Sequence, residues 1–274
     1  MRRNLLFPVT TYPDPTADEA IESGVNFAAR HASDLTGLIA GIEIPHVSNP
    51  WSLPLIDMPR MVKEAENSSR QNGERLGGVL ERLASERSVT LDVTRLRVEP
   101  AAVADKVVEQ GRLHDLIVAQ SGEDQRALNE AVIFGCGRPV MLVPPATWNG
   151  SVDHVAIAWD GGRAAARALG DALWLVERAA RVTILFSGGD KAASTPAAKQ
   201  LAASLVRRGV QADLRPVDTA DRGIGDALQA GAVAAGADLL VMGGYGHSRL
   251  REFVLGGATA AVLSRPQLPV LISH

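Results

Sequence analysis

Ala237-Asp238-Leu239-Leu240-Val241-Met242 runs straight into Gly243-Gly244-Tyr245-Gly246-His247-Ser248-Arg249, and nine residues past Gly246 the chain reaches Gly256-Gly257-Ala258-Thr259. An apolar run closed by an acid on one side and glycines on the other reads as a strand buried on both faces. The glycines make a turn, and Ala258 to Arg265 carries a short helical pattern. A buried strand that leaves through a glycine turn into a helix is one unit of a parallel α/β sheet.

The unit occurs twice. His114-Asp115-Leu116-Ile117-Val118-Ala119 matches Ala237 to Met242 at an offset of 123, and Arg138-Pro139-Val140-Met141-Leu142-Val143 matches Leu268 to Ser273 at an offset of 130. The second copy therefore holds seven extra residues between these two strands. Leu5-Leu6-Phe7, cut short by Pro8, opens the first copy, and His154-Val155-Ala156-Ile157-Ala158-Trp159 opens the second.

Between the strands lie helical patterns at Thr16–Ser33, Arg60–Arg87, Ala101–Arg112 and Asp124–Phe134, then Gly162–Ala179, Thr195–Arg208, Ile224–Ala235 and Ala258–Arg265. Thr16 and Asp226 are suited to N-caps; Ser33-Asp34 and Gly209 mark helix ends. The fold expected is α/β: two tandem open parallel five-stranded sheets flanked by helices, over residues 1–147 and 152–274. The final strands, Val140–Val143 and Val270–Ser273, are expected at sheet edges, where pairing is invited. The stretch from Pro45 to Pro59, with Pro50, Pro54, Trp51 and Leu53, reads as a proline-stiffened loop packed on its own half or on a partner.

Composition narrows the function. The chain has 274 residues, 46% of them hydrophobic, enough for a packed core and against general disorder. Its net charge of −3 argues against a surface built for nucleic acid. No run is long and apolar enough to span a membrane, and Met1-Arg2-Arg3-Asn4 lacks the sequel of an export signal, so a cytoplasmic location is expected. A single cysteine, Cys136, reads as a small buried hydrophobe.

The glycine stretch carries the chemical clue. Glycines admit positive φ and let backbone N–H groups approach an anion closely. A helix N-terminus adds unpaired donors, and His247, Arg249 and Arg251 supply positive charge. The plainer alternative is that the glycines serve only turns and close helix–sheet contact.

The second half resembles the universal stress protein family, and the whole chain resembles its tandem form. The resemblance is carried by Val241-Met242-Gly243-Gly244-Tyr245-Gly246, by Gly256-Gly257, and by Pro269-Val270-Leu271-Ile272. Nucleotide-binding members have Gly, two residues, Gly, nine residues, Gly, then Ser or Thr. Gly243, Gly246 and Gly256 fit; Gly257 stands where the hydroxyl belongs, at a loss of one hydrogen bond worth about 1 kcal/mol. Thr259 is a candidate substitute. The resemblance further implies an acid by the adenosine, here Asp160, which serves equally as N-cap of the following helix. It places Phe186, Met242 and Ala258 near the nucleotide. The implied ligand is ATP or a related adenine nucleotide, with or without Mg. It also implies a stress-response regulatory role, with an unknown protein partner, and pairing of the two final strands into an intrachain pseudo-dimer. A homodimer is left open.

In the first half the glycine spacing is replaced by Ser121-Gly122-Glu123-Asp124, whose acids oppose phosphate, so that half is expected to be structural. No catalytic residues or metal ligands stand out: the phosphate-loop lysine pattern, a nucleophile elbow and paired histidines are all missing. A non-nucleotide adaptor of the same fold is the alternative reading. An ATP-using enzyme, beyond slow ATP hydrolysis, ranks behind both.

Overall fold

Strand and helix alternate through both halves, and the strands join edge to edge. The computed structural model describes residues 2–45, 57–187, 191–219, 223–244 and 258–274. The first half contains β1 (Asn4–Thr10), α1 (Asp18–Arg30), β2 (Asp34–Ile42), α2 (Met58–Glu86), β3 (Leu91–Val98), α3 (Val103–Gly111), β4 (Leu116–Gln120), α4 (Arg126–Gly135) and β5 (Val140–Val143). The second contains β6 (His154–Ala158), α5 (Arg163–Val176), β7 (Arg181–Ser187), α6 (Lys191–Val206), β8 (Ala212–Val217), α7 (Ile224–Ala235), β9 (Leu239–Gly243), α8 (Ala258–Ser264) and β10 (Val270–Ser273).

The order across the sheet is β3-β2-β1-β4-β5-β10-β9-β6-β7-β8. Pairing within each half is parallel, as near-continuous apolar strands require. At the centre β5 meets β10 antiparallel, with Val140 opposite Ile272 and Met141 opposite Leu271. The mirrored order about this seam makes the halves a pseudo-twofold pair inside one ten-stranded sheet.

Two apolar layers cover the sheet, and both cross the seam. One joins Ile21 and Phe27 of α1 and Leu80 of α2 to Ala172 and Leu175 of α5 and Leu201 of α6. The other joins Val107 of α3 and Ile133 of α4 to Leu228 of α7 and Val262 of α8. Val140, Met141, Leu142, Val270, Leu271 and Ile272 are fully buried. Each such side chain contributes about 1.5–3 kcal/mol, so the seam is core rather than a docking surface.

The connection between the halves is pinned. Trp148 N–H donates to Ser23 Oγ (2.9 Å), Asn26 Nδ2 donates to the Trp148 carbonyl (2.8 Å), and the Trp148 ring stacks on Phe27 at 5.5 Å. Gly150 sits at φ +77°, where an added Cβ would lie 2.6 Å from the Asn26 backbone.

Several boundaries differ from the sequence expectation. Pro8 lies inside β1, because beyond Leu6 that strand pairs with β2 alone and a missing donor is tolerated. Thr16 accepts from Thr10 N–H (2.9 Å) while Ala17 is the N-cap of α1; Gly223, not Asp226, caps α7. Pro59 belongs to the first turn of α2, a position that needs no N–H. Helix α6 starts a turn early, so Pro196 is inside it. Most of the proline-rich loop, 46–56, lies outside the described residues. Cys136 is buried, and burial raises its thiol pKa, in keeping with an inert packing role.

Candidate functional site

In an open parallel sheet, neighbouring strands whose following helices go to opposite faces part at their carboxyl ends and leave a crevice. Here that happens twice, between β1 and β4 and between β6 and β9. In the second half β6 pairs with β9 only through Val155, Ala156 and Ile157, after which the strands diverge. Helix α5 packs on one face and α8 on the other.

On the β6 side the crevice is bordered by Trp159, Asp160, Gly161 and Gly162. Asp160 is exposed, and its Oδ1 accepts from Gly162 N–H at 2.7 Å. Gly162 is the N-cap of α5 and makes no side-chain capping bond. The carboxylate thus holds the turn into α5 without being the cap, which corrects the helix-cap alternative raised for Asp160. Gly161 takes φ +76°, which makes this turn possible.

On the β9 side stand Gly243 and Gly244. An added Cβ at Gly243 would lie 2.5 Å from Ala164 C and Ala165 N, so α5 rests directly on the strand. For this glycine, close helix–sheet contact is a sufficient reason. Gly244 N–H donates to the Ser273 carbonyl (2.8 Å), and the Gly244 carbonyl faces His274 Nδ1 at 2.9 Å.

Three buried side-chain polar atoms lack a hydrogen-bond partner among the described residues: Trp159 Nε1, Ser273 Oγ and Gln229 Nε2. Two of these belong to residues at the carboxyl ends of β6 and β10, the strands flanking β9. A buried polar atom left unpaired costs about 1–3 kcal/mol, and such orphans mark places where a further partner fits.

The other predicted residues divide. Phe186 is buried in the layer under α5 and α6, and Met242 in the opposite layer under α7 and α8, so their side chains lie on different faces of the sheet. Thr259 is buried in the first turn of α8. Gly246, His247, Arg249, Gly256 and Gly257 lie outside the described residues; Ala258 begins α8.

The first-half crevice is built differently. Gln120 occupies the position equivalent to Gly243. Its side-chain oxygen accepts from Ala17 N–H at 2.7 Å, tying the end of β4 to the N-cap of α1. Gln125, buried, places Nε2 3.4 Å from Thr10 Oγ1 and 3.3 Å from the Asp14 carbonyl. Asn129 Nδ2 donates to the Gln120 carbonyl (2.9 Å), and Ser121 Oγ donates to the Val143 carbonyl (2.6 Å). Side chains thus cross this crevice and bond to one another and to its backbone.

No family model matches the chain. A universal stress protein from Archaeoglobus fulgidus superposes with a TM-score of 0.71 over 98% of this chain and 97% of its own, at 15% identity. This chain has the universal stress protein fold. Universal stress protein Slr1230 of Synechocystis is 56% identical over 34 residues, a match spanning only 12% of that protein and 12% of this one. A universal stress protein solved in complex with cAMP is 24% identical over 45% of this chain and 97% of its own, with a TM-score of 0.34.

Sequence reading named Asp160 and Gly243, which border the crevice between β6 and β9, but not its other borders. Trp159 and Ser273 went unnoticed because an unpaired atom is a property of packing. Gly244 was quoted only as part of the motif; its contact with the last residue, His274, depends on β10 lying beside β9. His274 is exposed, yet its ring packs on Phe134 of the first half at 4.9 Å.

Proposed function

We propose that this chain is a tandem universal stress protein whose second half binds ATP or a related adenine nucleotide, with or without Mg, and whose first half binds none. The carrying observation is the contrast between the two crevices. One is cross-tied by its own side chains, whereas the other has unpaired buried polar atoms beside an exposed carboxylate and leads into the Gly243, Gly246, Gly256 spacing. In this reading Asp160 accepts from ribose or adenine, and backbone amides of Gly243, Gly246, Gly256 and Gly257 face the phosphates. His247 and Arg249 offset phosphate charge, Phe186 and Met242 close the strand ends, and Ala258 and Thr259 begin the adjoining helix. No helix among the described residues is long and apolar enough to cross a membrane. The role that follows is a cytoplasmic stress-response regulator that responds to nucleotide and acts through a protein partner.

Titrating the purified chain with ATP, and with cAMP in parallel, tests the reading. Saturable binding to wild type that Gly246→Val abolishes supports it. Absence of saturable binding, or binding untouched by Gly246→Val, returns the chain to the adaptor reading, which the Gly257 replacement favours.

A further inference from the structure

The seam places first-half residues against Gly244, at the start of the glycine stretch, and against Leu263, six residues past Gly257 in the sequence. Before it, Gly244 is flanked by Ile133 of α4: a Cβ added there would be 3.5 Å from Ile133 Cγ2. His274, which bonds the Gly244 carbonyl, is itself seated on Phe134 of α4. After the stretch, the Leu263 carbonyl near the end of α8 accepts from Gly122 N–H of the first half at 3.2 Å. The last carbonyls of a helix have no partner within it, so this donor completes the end of α8 from outside the second half.

Gly122 is held in an unusual backbone state, φ +138° and ψ 164°, a region open essentially to glycine alone. No heavy atom lies within 4 Å of a Cβ added there. Its identity is therefore dictated by conformation rather than space, and that conformation aims its N–H at Leu263. Gly122 occupies the shorter loop, in the half without the glycine spacing.

We propose that Gly122 is a positioning residue: the loop of the first half acts as a fixed clamp on α8, so that the first half holds in place the helix that follows the glycine stretch of the second. This rests on the nucleotide reading for its functional consequence but not for the clamp itself. It assigns the first half a task beyond holding the sheet together.

Hydrogen exchange of peptides covering Ala258–Leu268 in the full chain tests the clamp without any ligand. Gly122→Ala should speed exchange there about fivefold, the loss of one ordinary hydrogen bond. Gly209→Ala, a positive-φ glycine at +79° with equal free space but far from the seam, should leave those amides unchanged. Equal exchange in Gly122→Ala and wild type, or the same increase in both variants, overturns the clamp. If Gly122→Ala does not fold, exchange of the Gly122 amide itself in wild type reads the bond: protection is expected, and exchange at the rate of a solvent-exposed loop amide overturns the proposal. With ATP, the affinity should fall about fivefold in Gly122→Ala and not in Gly209→Ala. Failure of wild type to bind ATP would end the nucleotide reading while the exchange result still decides the clamp.

Discussion

The two crevices share a strand arrangement and differ in how one backbone donor is satisfied. In the first half the N-cap amide of α1, Ala17 N–H, is met by Gln120, which reaches over from β4. In the second half the N-cap amide of α5, Gly162 N–H, is met by Asp160 on its own turn. The first solution ties two diverging strands together; the second, among the described residues, stays within one turn. The position equivalent to Gln120 is Gly243, whose missing side chain lets α5 settle onto β9. Gln120 against Gly243 is thus one of the residue differences that decide how each crevice is held.

Exchanging these residues should have the largest effect. Gly243→Gln should cost about 3 kcal/mol or more, because backbone atoms of α5 block the side chain; urea unfolding measures it. The reciprocal Gln120→Ala leaves Ala17 N–H unpaired, at about 1–2 kcal/mol, and should speed exchange in the first turn of α1 while leaving α5 untouched. Asp160→Ala should cost about 0.5–1 kcal/mol through the lost turn bond. Asp160→Asn retains that bond, so its stability should match wild type while its ATP affinity falls as in Asp160→Ala. The smallest effect is on pH dependence. Burial lowers the pKa of both His31 and His154 below the usual 6.5, in each case the dominant cause. The unfolded chain then binds protons more readily, so stability is complete above about pH 6.5 and declines below it. His31, whose Nε2 donates to the Gly150 carbonyl (3.1 Å) beside Phe27 and Trp174, sits in the pinned connection between the halves. His31→Gln should reduce the drop in melting temperature between pH 7.5 and 5.5; an unchanged drop would contradict this assignment.

The strands were legible because parallel central strands need apolar residues on both faces, and the offsets between repeats exposed the order of the copies. The two final strands were expected at sheet edges, and their pairing was implied by the resemblance; that β5 and β10 meet antiparallel is seen only in the sheet. Three features were not legible. Pro8 inside β1 depends on where β4 stops pairing. The cross-tie by Gln120 depends on a glutamine reaching across two elements more than a hundred residues apart. Phe186 and Met242 were grouped by resemblance, and only the sheet's two faces separate them.

The most direct test of the account is amide chemical-shift mapping of the full chain during an ATP titration. Shifts are expected at Asp160 to Arg163 and at Gly243 and Gly244, with Thr10 to Ala17 and Gln120 silent. Shifts at the Gln120 crevice, or none at either, would contradict it.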